Sequence, residues 1–158
     1  MFDATAVGDA RKADTAKAFE YGVLANAAQL VGAGQAMLDA SVDYAKQRSQ
    51  FGRTIGSYQA IKHKLADVYI AVEMARPLVY GAALSLAERS SDAARDVSAA
   101  LAATADAALL SARSSLQTHG AIGFTQEHDL SLLLLRVQAL RSAWGDPTWH
   151  RRRVLEAL

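Results

Sequence analysis

Two stretches of the chain carry side chains suited to holding an anion. Arg48-Ser49-Gln50-Phe51-Gly52 and Ile55-Gly56-Ser57-Tyr58-Gln59 place an arginine, an aromatic ring and two amides around one helix–helix turn. A guanidinium presents a planar fork of N–H donors, and a helix start leaves backbone N–H groups free, so the combination suits a pyrophosphate. Gln117-Thr118-His119-Gly120-Ala121-Ile122-Gly123 is a second helix end running into a glycine-rich turn, where backbone can approach a ligand closely. Chemistry alone leaves each stretch an alternative as a tight structural turn. His150-Arg151-Arg152-Arg153 is the remaining basic cluster. It suits a solvated helix face or an anionic partner, and no helix-turn-helix spacing accompanies it.

Other chemistries are excluded by composition. The 158 residues include no cysteine, which removes disulfides, thiolate metal sites and thiol nucleophiles. Four-helix bundles build di-iron sites from Glu-x-x-His pairs, and the sequence has none. Its four histidines, His63, His119, His128 and His150, are scattered, so no metal site is expected. Seventeen Lys+Arg against sixteen Asp+Glu give a net charge of +1, without the broad basic field of a nucleic-acid binder. The longest purely aliphatic run, Leu132 to Leu135, is far short of the roughly 20 residues of a spanning helix, and no signal-peptide core follows the N-terminus. The expected compartment is the cytoplasm, with no membrane partner.

The elements that must position the two turns are helices. Ile61, Leu65, Val68, Val72, Ala75, Val79, Ala82 and Leu86 recur at spacings of four and three, an apolar seam along one helix face. Ser57 is the expected N-cap, and Pro77, which cannot donate to the Glu73 carbonyl, is expected to kink the helix. Phe19, Val23, Leu30, Met37 and Tyr44 mark an earlier seam over about 15–48. An Ala-rich helix over about 92–118, capped by Ser90 or Ser91, has a seam of small residues that lets a neighbour come close. Thr125 is the expected cap of a helix over Leu130–Leu140, and Gly145-Asp146-Pro147 reads as helix stop, N-cap and first-turn proline. The fold class that follows is all-α: an antiparallel four-helix bundle with a short C-terminal helical extension.

Taken together, the two turns resemble a known family. Tyr44-Ala45-x-x-Arg48-x-Gln50-Phe51-Gly52-x-x-Ile55-x-x-x-Gln59, with Ala66-Asp67 and Ala75-Arg76, is similar to the signature of the acyl-CoA dehydrogenases. So is Gln117-x-x-Gly120-x-x-Gly123-Phe124-Thr125, followed by acidic residues and Arg136. The resemblance runs from about residue 15 to the C-terminus and covers only the last of that family's three domains, the helical bundle. Residues 1–14, with Ala6-Val7-Gly8, resemble the tail of a preceding β-domain, leaving 15–158 as the bundle. The resemblance implies a fragment of a flavoprotein that oxidises acyl-CoA thioesters with FAD. It implies Arg48 at the FAD diphosphate, Phe51 and Gln59 beside the nucleotide, and Gln117 with the Gly120 turn reaching from a neighbouring subunit. Ala121 departs from the family, which usually has a second glycine there.

The catalytic base is where the match breaks. The family's glutamate removes the α-proton while hydride leaves the β-carbon for the flavin. Its two alternative places fall near Gly145 and near Gly22, with Val23 where an arginine often meets the CoA. Asp146 is one residue off and is the remaining candidate base, though it also reads as an N-cap. Glu20 is two residues off, on nearly the opposite helix face. The missing base points to the non-catalytic subunit of a heteromeric enzyme, of the kind that acts on fatty or steroid side-chain acyl-CoA. The expected partners are an acyl-CoA substrate, further subunits in a homo- or hetero-oligomeric dimer or tetramer, and an electron-accepting flavoprotein. The alternative is a stand-alone helical oligomerisation module without flavin. By itself this chain is not expected to catalyse a reaction.

Overall fold

The computed structural model describes residues 10–125 and 129–158. It contains α1 (Ala10–Gln47), a small antiparallel hairpin of β1 (Ser49–Gln50) and β2 (Arg53–Thr54), α2 (Gln59–Ala87), α3 (Ala93–His119), α4 (Leu130–Leu140) and α5 (Pro147–Glu156). Short 3-10 turns at Ile55–Ser57 and Gly120–Phe124 bracket α2 and α4. The expected helical bundle is the fold observed, with α3 at its centre touching every other helix. The fourth helix is short, 11 residues against 38, 29 and 27 in the first three. Residues 1–9, including Ala6-Val7-Gly8, and His128 lie outside the described residues.

The seams explain the packing. Leu65, Val68, Val72, Ala75, Val79, Ala82 and Leu86 are all buried, with Ile61 packed at the edge of the core. On α3, Val97, Leu101, Ala105, Ala108 and Ala112 are buried in the same core. Its small side chains do bring α1 close: the Ser111 hydroxyl donates to the Gly34 carbonyl at 2.7 Å, and Ser115 donates to the Met37 carbonyl at 3.0 Å. Two buried hydroxyls are thus satisfied by a neighbouring backbone.

Local details differ from expectation. Ser57 does not cap α2; Tyr58 occupies the N-cap, and the Ser57 hydroxyl donates to the Thr54 carbonyl at 2.7 Å, closing the preceding turn. Neither Ser90 nor Ser91 caps α3: Asp92 sits at the N-cap, and the Ser90 hydroxyl accepts from the Asp92 N–H at 3.2 Å in the turn before it. Thr125 does not cap α4, because its hydroxyl donates back to the Ile122 carbonyl at 2.9 Å and Asp129 sits at the N-cap. α2 continues through Pro77 as one element. Contrary to the expectation from aliphatic runs alone, that helix, Gln59–Ala87, is long and apolar enough to cross a membrane by length and composition. Its seam is committed to the bundle core.

Candidate functional site

Because α1, α2 and α3 alternate in direction, the end of α1, the start of α2 and the end of α3 share one end of the bundle. Both anion-suited turns are therefore brought to that end. The first is pinned where the Arg48 N–H donates to the Tyr44 carbonyl at 2.9 Å and the Ile55 N–H to the Arg48 carbonyl at 2.8 Å. Between them, Gln50 pairs with Arg53, and the two hairpin-tip residues Phe51 (φ 54°) and Gly52 (φ 81°) are both left-handed. That is the pattern of a type I′ hairpin, which glycine accepts freely and phenylalanine does not. The tip holds Phe51 out at 93% exposure. Tyr58 braces the hairpin: its hydroxyl donates to the Gln50 carbonyl at 3.1 Å, and the Arg53 guanidinium lies 3.9 Å from its ring centroid.

Arg48 is exposed and enters no ion pair among the described residues. Gln59, exposed, opens α2. Gln117 is exposed near the end of α3 and accepts from Lys64 of α2, while Gly120 turns the chain at φ 64°. The Tyr44 and His119 rings stack at 4.5 Å, tying the ends of α1 and α3 together. Lys64 was not singled out from sequence, and neither was the pairing of Tyr44 with His119; these partners lie far apart along the chain, and no local spacing signals them. Ala121 has no positive φ, so its methyl group is compatible with the turn that the family builds with glycine. The exposed guanidinium, the outward ring and the amide donors form a set that fits a dinucleotide cofactor such as FAD. Arg48 would take the diphosphate and Phe51 would lie on a flat ring. Among the described residues, no group of three or more His, Asp or Glu is placed to hold a metal ion.

The other end of α1 carries the positions compared with the catalytic base. Gly22 lies under the indole of Trp144: a Cβ there would fall 2.5 Å from Cη2 and 2.6 Å from Cζ3. Gly145 has φ 109°, and a Cβ on it would lie 2.8 Å from the His150 Nε2. Asp146 caps α5, accepting from the Thr148 N–H at 2.7 Å. That bond holds its carboxyl below the usual carboxylate range, the opposite of the raised proton affinity useful in a base at neutral pH. Glu20 is ion-paired with Arg153 of α5. The basic cluster is thus largely structural, since Arg151 also pairs with Asp106.

His150 locks this elbow. It is fully buried, its Nε2–H donates to the Trp144 carbonyl at 2.9 Å, and its Nδ1 has no hydrogen-bond partner among the described residues. Burial lowers its proton affinity and Arg153 adds to that, against the Trp144 carbonyl, Glu20 and Asp146, which favour the proton. A folded-state pKa below the unfolded value means full stability above about pH 6.5 and loss as pH falls through the folded value. Stability is expected to fall as pH drops below about 6.5, by no more than ~1.4 kcal/mol per pH unit from this group. Urea titrations of His150→Gln should show a correspondingly flatter pH dependence.

Comparison with known proteins agrees with the fold. The family model described as "Acyl-CoA dehydrogenase, C-terminal domain" matches residues 13–158. The chain is 41% identical over 153 residues to "Acyl-CoA dehydrogenase IpdE2" of Mycolicibacterium smegmatis, covering 95% of this chain and 45% of that protein. It therefore spans less than half the length of that relative. Among solved structures, the ChsE4-ChsE5 complex from Mycobacterium tuberculosis has a chain superposing with a TM-score of 0.83 at 31% identity, over 87% of this chain and 37% of that one. Butyryl-CoA dehydrogenase from Megasphaera elsdenii superposes with a TM-score of 0.83 at 29% identity, over 88% and 36%. With a family match across nearly its whole length and the same helical fold in solved relatives, this chain belongs to the acyl-CoA dehydrogenase C-terminal domain family.

Proposed function

We propose that this chain is the FAD-contacting and oligomer-forming bundle of a larger protein working in the α,β-dehydrogenation of acyl-CoA thioesters, as the non-catalytic member of a heteromeric pair. The observation that supports the flavin part is the convergence of the Arg48 turn and the Gln117–Gly120 turn on one bundle end, with Phe51 held outward. FAD, when bound, supplies the acceptor for a hydride from the substrate's β-carbon. Arg48 offsets diphosphate charge and Phe51 covers an aromatic ring. The non-catalytic part is supported by Gly22 and Gly145, where a side chain would collide with Trp144 and His150 respectively. With Asp146 engaged as a cap and Glu20 paired with Arg153, neither nearby carboxylate is set up to take an α-proton. A relative whose printed name is a two-component complex, ChsE4-ChsE5, has the same bundle. On this reading the partners are a catalytic subunit, its acyl-CoA substrate of the fatty or steroid side-chain kind, and an electron-accepting flavoprotein.

The test uses the whole protein, purified with and without its partner subunit. A flavin absorption spectrum is expected from the assembled protein. Arg48→Ala should weaken flavin retention by roughly 10–100-fold, the loss of one charge-assisted hydrogen bond. Acyl-CoA oxidation at full rate by this protein alone would overturn the non-catalytic assignment. A colourless assembly would overturn the flavin assignment and favour an oligomerisation module.

A further inference from the structure

Gln117 lies on the last turn of α3, a poor place for an anion by default. The backbone groups left free at a helix C-terminus are carbonyls, and the helix dipole is negative there. The Gly120 N–H is itself spent on the Leu116 carbonyl as the cap. Donors at this end must therefore come from side chains, and the Gln117 amide is exposed beside the turn. An amide accepts at one end and donates at the other, and rotation about its last bond exchanges the two. Turned the wrong way, Gln117 would add one more carbonyl oxygen to those of the helix end.

Lys64 decides which way the amide faces. From the second turn of α2 its ammonium donates to the Gln117 Oε1, across 53 positions of sequence. An ammonium has three donors and no acceptor, so only the carbonyl end of the amide can face it. Lys64 enters no ion pair among the described residues, so no carboxylate competes with the amide for it. The Gln117 Nε2 makes no hydrogen bond among the described residues, and both of its N–H groups are left for a ligand.

We propose that Lys64 is a positioning residue for the dinucleotide: it fixes the Gln117 amide with its N–H groups outward, for an acceptor oxygen of the bound FAD. This role rests on the flavin reading given above. The test measures the FAD dissociation constant of the assembled whole protein by flavin fluorescence, alongside its thermal unfolding. Gln117→Leu should weaken FAD binding by about 10-fold, the loss of one hydrogen bond. Lys64→Met, similar in length but without donor or charge, should weaken it by about 3–10-fold while the unfolding curve stays in place. Lys64→Arg, which also only donates, should recover most of the affinity. In the Gln117→Leu background, Lys64→Met should weaken binding no further, because the lysine acts through the amide. Additive losses would overturn the assignment and make Lys64 a direct charge on the ligand. So would an unchanged affinity in Lys64→Met, a loss that Lys64→Arg does not recover, or a loss that comes with a lowered melting temperature. A colourless wild-type assembly would overturn the flavin reading and this role together, whereas each of the other outcomes touches Lys64 alone.

Discussion

Gly22→Ala should destabilise the bundle by about 1–3 kcal/mol, although alanine is the better helix former by about 1 kcal/mol. The reason is the 2.5 Å approach of the Trp144 ring to the added methyl group. Trp144 sits edge-on to Phe19 at 5.9 Å, and its carbonyl holds His150, so the ring cannot retreat without disturbing the α4–α5 elbow. In a Trp144→Ala background the same substitution should change sign and stabilise by up to about 1 kcal/mol, because only helix propensity remains. Urea denaturation of the four proteins measures this cycle. An equal destabilisation in both backgrounds would show that the indole is not the cause. The result bears on chemistry: a glutamate introduced at position 22 has no room for its first carbon while Trp144 is in place. An engineered base there needs both changes.

Arg153→Ala should destabilise by about 2–3 kcal/mol, a value below that of a fully buried pair because the arginine is partly exposed. Its guanidinium joins three elements: Glu20 on α1, Ser98 on α3 at 3.2 Å, and the faces of Phe19 and Trp149 at 5.7 and 5.5 Å. Removing it strands the Glu20 carboxylate, whose side chain is only 13% exposed. The double variant Glu20→Leu/Arg153→Met should lose less than Arg153→Ala alone, since no charge is left behind. Thermal melts of the single and double variants distinguish this. A double variant as unstable as the sum of its singles would assign the effect to packing rather than to the stranded charge.

The helices were legible in the sequence because burial on one face imposes a 3.6-residue period. Every α2 seam position from Leu65 to Leu86 is buried as that period requires. The α5 start was legible for a different reason, since Gly-Asp-Pro names each backbone position by its side-chain chemistry. Ser57 and Thr125 were not legible as turn closers. A hydroxyl can bond forward to a helix N–H or backward to a carbonyl, and sequence does not choose between them. The two turns of the candidate site were visible as residue types, but their meeting at one bundle end is a product of helix direction. Trp144 over Gly22 was hidden altogether. The contact joins residues far apart in the chain, and nothing local in either segment announces it.

The hydroxyl bonds from Ser111 and Ser115 to the carbonyls of Gly34 and Met37 have a mechanical consequence. They key α3 to α1 at two successive steps, so a sliding motion of one residue would break both together. Gly34 is about 20 Å along α1 from Arg48. The separation between the two turns is therefore gauged deep inside the bundle, at a distance from any ligand. Whatever bridges those turns meets a caliper already set, and adjusting its jaws means resetting the helices.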